Sequence, residues 1–272
     1  LQGQLRDIAR RLALRLGVVG LLNIQFAIKD QVIYVIEANP RASRTVPFVS
    51  KSTGVPLAKI AARIMAGEKL ADLHLPADDR EFDYFCVKEA VMPFGRFPGS
   101  DVVLGPEMKS TGEVMGIAGN FPAAFTKTQL AIDYEPPRGG EVFISVNDGD
   151  KRNITAIARS IARLGFSLVA TTGTARALRA SGIECEEVGK IHAGSHTILD
   201  RIASGEIVLM INTPFGSSTN TDGYEMRAAC VRHGVSYCTT LAGAQALIAG
   251  MEAVRETGLD VIALQDLPQW EG

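Results

Sequence analysis

A chain of 272 residues has room for about two domains, each able to bury a core of its own. Hydrophobic residues make up 46% of it and the formal net charge is -2, which describes an ordinary soluble protein and offers no basic stripe to nucleic acid. No apolar run approaches the roughly 18 residues of a membrane span and the start has no signal-peptide pattern, so no membrane is expected and the cytosol is the expected compartment.

The first predicted element is a basic amphipathic helix over 4–16, with Leu5, Ile8, Ala9, Leu12 and Leu16 at helical spacing. An extended run, Leu22-Asn23-Ile24-Gln25-Phe26-Ala27, then precedes a second one that ends in Glu37-Ala38-Asn39. A turn at Lys29-Asp30 makes the two an antiparallel pair, with Gln25 near Glu37 and Asn39 on one face. One carboxylate and two amide oxygens are hard donors, the kind Mg2+ or Mn2+ accepts while keeping water and phosphate oxygens in its other positions. Arg41 and Arg44 follow at once, and a guanidinium clamps phosphate or carboxylate bidentately. Any one of these residues alone could be a turn or a surface position. Together they suit a magnesium nucleotide.

The run from Glu37 to Lys51, Glu-Ala-Asn-Pro-Arg-Ala-Ser-Arg-Thr-Val-Pro-Phe-Val-Ser-Lys, preceded by Asn-Ile-Gln-Phe-Ala, closely resembles the C-terminal end of the ATP-grasp module in the carbamoyl-phosphate synthase large-subunit family. Many ATP-grasp ligases share Glu-x-Asn, whereas the Pro-Arg-x-x-Arg-Thr-Val-Pro-Phe extension is far narrower. The resemblance implies Gln25, Glu37 and Asn39 as ligands of Mg2+ or Mn2+, and Arg41 and Arg44 as catalytic residues that steady the transferred phosphoryl group or the carbamate. It also implies ATP as substrate of the full module and K+ as a further candidate ion. A chain that opens on the last helix and hairpin of such a module is expected to be the tail of something longer, inactive by itself.

A helix over 55–65 follows, entered through Gly54-Val55-Pro56 and ended near Gly67. Strands over 84–92 and 113–118 bracket a Pro- and Gly-rich stretch, and a helix is predicted over 123–131. Met108 to Gly116 again resembles the same family, though a polar loop between strands accounts for it equally well. Tyr134 to Gly140, with two prolines and two glycines, disfavours helix and sheet and reads as a linker. The expected division is therefore 1–133, the C-terminal part of the carbamate-phosphorylating module; 134–140, the linker; and 141–272, a second domain.

Beyond the linker the pattern alternates. Strands are predicted over 141–146, 167–170, 184–188, 207–211, 237–238 and 261–263, with helices over 153–164, 175–181, 197–203, 225–233 and 242–251. Such alternation means a parallel sheet covered on both faces, with ligands beyond the carboxyl ends of its strands. Lys151, the run Thr171-Thr172-Gly173-Thr174, Lys190 and Asn212-Thr213 all fall at that edge. Hydroxyls and free amides at a helix N-terminus favour an anion, and the two lysines add the charge a phosphate needs.

This second domain resembles the methylglyoxal-synthase-like regulatory domain of the same family. The overall fold class is then α/β: the C-terminal end of an ATP-grasp fold (α+β) followed by a Rossmann-like, methylglyoxal-synthase-like parallel-sheet domain. The family's nucleotide contacts carry over to Lys151, Thr171, Thr174, Lys190 and Asn212, with UMP or IMP as effector. Pro214 stands where some members have a further threonine. The Asp and His that methylglyoxal synthase uses are missing from the corresponding places, Gly194-Ser195-His196 and the loop from Asn220 to Gly223, so lyase catalysis is the least favoured reading. A stand-alone module that binds a nucleoside monophosphate without catalysis is the other alternative. Glu89 and Thr239 are candidate ornithine-binding residues. The resemblance further implies a glutaminase small subunit and the rest of the large subunit as partners, in pyrimidine and arginine biosynthesis.

Cys86, Cys185, Cys230 and Cys238 are widely spaced, so neither a zinc site nor a disulfide framework is expected. His192 and His196 stand four apart, but the Gly194-Ser195 between them reads as loop rather than as one helix face.

Overall fold

The computed structural model describes residues 1–75, 81–96, 101–105, 108–189, 197–214 and 221–267. They form two compact units, one of residues 1–83 with the segment from Asp260 onward, the other of residues 84–259.

In the first unit, α1 (Gln2–Arg15) precedes a hairpin of β1 (Asn23–Lys29) and β2 (Val32–Asn39). The hairpin turns on Asp30 and Gln31, one residue later than expected, and both take the left-handed conformation (φ 49° and 65°) that matches the twist of paired strands. Two short helices follow, α2 (Thr45–Thr53) and α3 (Leu57–Met65). No periodic stripe announces α2, because Pro47 and its hydroxyl residues argue against a helix. Pro47 is tolerated in the first turn, where no intrahelical donor is lost. At the other end, Ser52 and Thr53 turn their hydroxyls back onto the carbonyls of Phe48 (2.7 Å) and Val49 (2.8 Å) before Gly54 ends the helix at φ 71°. Val55, Ile60 and Leu73 form the small core, with Leu57 and Ile64 against it. The predicted strand over 261–263 is not formed. Those residues are irregular and Val261 is 98% exposed, so among the described residues this apolar run pairs with no strand.

In the second unit, β3 (Phe85–Val91) and β4 (Gly112–Ala118) are antiparallel, and α4 (Phe121–Ala131) lies on β4. Asn120 caps α4 by accepting from the Ala123 amide at 2.9 Å. The larger layer alternates strand and helix: β5 (Glu141–Ser145), α5 (Ile154–Arg163), β6 (Ser167–Thr171), α6 (Thr172–Ala180), β7 (Glu186–Val188), α7 (Ile198–Ala203), β8 (Ile207–Asn212), α8 (Thr221–His233), β9 (Ser236–Cys238) and α9 (Leu241–Thr257). All five strands are parallel, in the order β7-β6-β5-β8-β9. The strands read as continuous apolar runs because both faces are covered. Val142, Ile144 and Ile211 face Ile157, Ile161, Leu247 and Ile248, while Phe143, Val169 and Met210 face Ile198, Ile202 and Met226. Each such side chain contributes roughly 1.5–3 kcal/mol by leaving water.

The segment expected to be a linker runs inside this second unit. Tyr134 packs against the sheet's core, and α4 packs on α9, where Gly250 admits Thr126 so closely that a Cβ there would stand 2.3 Å from its hydroxyl.

Candidate functional site

On the hairpin, the register opposes Gln25 to Glu37 and Asn23 to Asn39. Directly opposed residues of an antiparallel pair project to the same face, and Glu37 and Asn39 share a face because they are two apart. A bulge beside Gln25 absorbs Ile36 as an extra residue, so Phe26 faces Val35 and the alternation shifts just beyond the donor cluster. The Asn39 amide donates to Glu37 Oε1 at 2.9 Å. Turning that amide over, which exchanges its nitrogen and oxygen, would aim a second hard oxygen at the space beside the carboxylate. The donor set therefore fits a divalent cation that keeps several waters. Among the described residues no cluster of three His, Cys, Asp or Glu offers another such place. Arg41 and Arg44 follow β2 on the exposed stretch that enters α2; Arg41 donates to the Ala42 carbonyl at 3.4 Å.

In the parallel sheet, the chain leaves β5 for β6 and β7 on one side and returns to β8 and β9 on the other. The crevice beyond the ends of β5 and β8, where Ser145 pairs with Asn212, is therefore the topological switch point. Thr171 ends β6 and stands at the N-cap of α6, but its hydroxyl does not cap the helix; it reaches Ser145 Oγ (3.4 Å) and Thr174 Oγ1 (3.3 Å). Thr174, 1% exposed, accepts from the Val146 amide at 3.3 Å. Lys151 forms an ion pair with exposed Asp148 at 2.5 Å, and a Cβ on Gly173 would stand 2.9 Å from the Lys151 Nζ. The ammonium thus lies over the first turn of α6, and Gly173 leaves it room.

Of the five residues expected here, Lys151 and Thr171 border solvent, whereas Thr174 and Asn212 are buried and hold strand ends together. Asn212 donates to the Ser145 carbonyl at 3.2 Å and accepts from Arg227 Nη1 at 2.7 Å. Lys190 lies outside the described residues, as do His192, His196 and Asn220.

Sequence reasoning places Thr213 at this edge beside Asn212 but misses two further members, Asp101 and Arg227. Thr213, 7% exposed, accepts from the Asn147 backbone at 3.0 Å and from its side chain at 3.1 Å. Arg227, 4% exposed, holds both oxygens of Asp101, at 2.8 and 2.6 Å. Burial alone would raise the Asp101 carboxyl, but the hydrogen bonds and charge of Arg227 and the Val103 and Val102 amides more than offset it and hold it below the usual range. Asp101 and Arg227 are 126 positions apart and carry no motif, so no local signal could have joined them.

Glu89 on β3 accepts from Thr128 Oγ1 at 2.6 Å and from Gln129 Nε2. Burial first, and the Glu89 charge second, push the Cys238 thiol up to about 12. Glu89 thus sits near the end of β9, after which Thr239 follows directly.

Two family models match the chain: "Carbamoyl-phosphate synthase L chain, ATP binding domain" over residues 2–73, and "MGS-like domain" over residues 153–239. A carbamoyl phosphate synthase large chain from Myxococcus xanthus is 49% identical over 97% of this chain, and one from Archaeoglobus fulgidus is 51% identical over 96%. The chain spans 24% of the length of each of these relatives. A methylglyoxal synthase structure from Elizabethkingia anophelis covers 41% of this chain and 78% of its own, at 19% identity and a TM-score of 0.34. By these sequence matches, the chain belongs to the carbamoyl-phosphate synthase large-chain family and corresponds to a C-terminal part of it.

Proposed function

We propose that the chain takes part in ATP-dependent phosphorylation of carbamate to carbamoyl phosphate, and that the edge of its parallel sheet binds a nucleoside monophosphate such as UMP or IMP. The observation that carries the first half is the hairpin register that sets Gln25, Glu37 and Asn39 on one face, with Arg41 and Arg44 next in the chain. Gln25, Glu37 and Asn39 would hold Mg2+ or Mn2+, which when bound neutralises charge on phosphoryl oxygens. Glu37 contributes the full negative charge and the two amides complete the donor set. Arg41 and Arg44 hold the carbamate or the moving phosphoryl group in line, each donor acting where charge spreads during transfer. In this reading residues 1–133 belong to the phosphorylating module and 141–272 to the regulatory one, joined through 134–140. A glutaminase small subunit and the remainder of a large chain are the partners, the cytosol is the compartment, and K+ is a further ion.

The second half rests on Lys151, which lies over the first turn of α6 beside Thr171 at the switch point of the sheet. Lys190 joins them in this proposal. Glu89, with Thr239 nearby, is the proposed contact for ornithine.

The test is a pair of measurements on a complete large chain with its small subunit. Carbamoyl phosphate synthesis should depend on Glu37, and titration with UMP, IMP and their unphosphorylated nucleosides should show binding only of the phosphorylated forms. Synthesis that survives Glu37→Gln at saturating Mg2+ would reject the first half. Nucleosides that bind as tightly as monophosphates would reject the second.

A further inference from the structure

Arg227 is buried on the second turn of α8 and has polar partners on two sides. One side is Asn212 Oδ1, 2.7 Å from Nη1; the other is Asp101, both of whose oxygens are held by Nε and Nη2. Gly223, one turn earlier, makes room for this arrangement, since a Cβ there would stand 3.0 Å from Nη1 and 3.6 Å from Asn212 Oδ1.

The chemistry of these groups leaves Asn212 a single orientation. A guanidinium has donors only, so the side of the amide that faces Arg227 must be the oxygen. The amide nitrogen is thereby turned toward Ser145, whose carbonyl it reaches at 3.2 Å, at the place where Thr171 also meets Ser145. Asp101 in turn fixes the guanidinium through a bidentate pair, which permits little rotation. Asp101 belongs to the connection between β3 and β4, and its Oδ1 also accepts from the Val103 amide at 3.2 Å. The ligand edge of the parallel sheet is therefore tied by three side chains in series to the connection leaving the strand that carries Glu89.

We infer that Arg227 and Asp101 are positioning residues for the ligand edge: they hold the Asn212 amide on the Ser145 carbonyl and so set the ends of β5 and β8 that border the anion, and they make anion binding there and the placement of the Asp101 to Val103 segment depend on each other. This rests on the reading that the edge binds a nucleoside monophosphate. A purely structural ion pair would behave otherwise, because apolar residues of similar volume often replace a buried pair without loss of stability. The coupling is reciprocal, since an effect of the connection on phosphate affinity requires an equal effect of phosphate on the connection.

The experiment titrates the full chain and its Asp101→Asn and Arg227→Met variants with UMP, IMP and inorganic phosphate by calorimetry. It also follows hydrogen exchange at the Val103 amide and along β3 and β4 with and without UMP. Asp101→Asn is expected to weaken monophosphate binding about three- to tenfold, the size of a lost contact in a hydrogen-bonded network, and to abolish a UMP-dependent change in exchange that the unaltered chain shows. An unaltered chain that binds UMP with no change in exchange at Val103 or in β3 and β4 would overturn the inference even if neither variant folds. So would variants that fold and bind UMP with unchanged affinity. Both of those results leave the nucleotide reading standing, whereas an unaltered chain that binds neither UMP, IMP nor phosphate overturns that reading and the inference together.

Discussion

The backbone of Gly116 on β4 meets α4 so closely that a Cβ there would stand 2.0 Å from the carbonyl oxygen of Ala124 and 2.9 Å from the Lys127 Cβ. The obstacle is backbone rather than the end of a flexible side chain, so α4 has to move to admit one methyl group. Gly116→Ala should therefore destabilise the unit by about 3 kcal/mol, whereas Gly119→Ala, with nothing within 4 Å of its Cβ, should stay within about 0.5 kcal/mol. Urea denaturation of the two variants checks the contrast, and equal midpoints would show that α4 does not seat on β4 as described.

Glu37 supplies the only carboxylate of the proposed metal cluster. Glu37→Gln keeps the shape and removes the charge, so carbamoyl phosphate synthesis in a complete large chain should fall by a factor of about a hundred or more, since a hard divalent cation depends on an anionic oxygen. Binding of UMP at the sheet edge should be unchanged. Steady-state synthesis across a Mg2+ series, beside UMP calorimetry, separates loss of the metal site from loss of the fold.

Lys151 is expected to contribute to phosphate binding by a charge-assisted hydrogen bond worth roughly 1.5–3 kcal/mol, so Lys151→Ala should weaken UMP or IMP binding about tenfold to a hundredfold. Lys190→Ala should weaken it similarly. Added salt should weaken binding too, though less than for fully exposed lysines, because Lys151 is only 29% exposed. Unphosphorylated nucleosides are the control in both titrations.

Asp101 makes a prediction for acid stability. Burial raises its carboxyl, but Arg227 and the backbone amides lower it further, so the folded pKa lies below the unfolded one. A depressed folded pKa contributes stability that is present above the unfolded value, about 3.9, and is lost as pH falls through the folded one. The stability difference between the unaltered chain and Asp101→Asn should thus be largest near neutrality and shrink below about pH 4. Tyr237, whose hydroxyl is pushed up to about 12 by burial first and later by Cys230, Cys238 and Asp101, stays neutral across this window. Denaturant unfolding at several pH values measures the difference; one that does not change with pH would mean that the Asp101 to Arg227 pair is not formed.

The β and α alternation from Glu141 to Thr257 was legible because strands buried on both faces read as apolar runs and the intervening helices as periodic ones. The hairpin and its donor face were legible because two-residue periodicity is a local property. Residues 45–53 hid a helix because their local preferences oppose one, and 261–263 imitated a strand because β propensity without a partner forms no sheet.

What the sequence by itself determined is therefore local: which elements form, which oxygen donors share the hairpin, and which hydroxyls and lysines follow the strands. What only the tertiary structure decided is which of those groups remain open to a ligand. Thr174 and Asn212 end strands or begin helices just as Thr171 does, yet both are buried and bonded inward, Asn212 through Arg227 to Asp101. Burial depends on contacts between residues far apart in the chain, and a polar group removed from water has to find its hydrogen-bond partner among them.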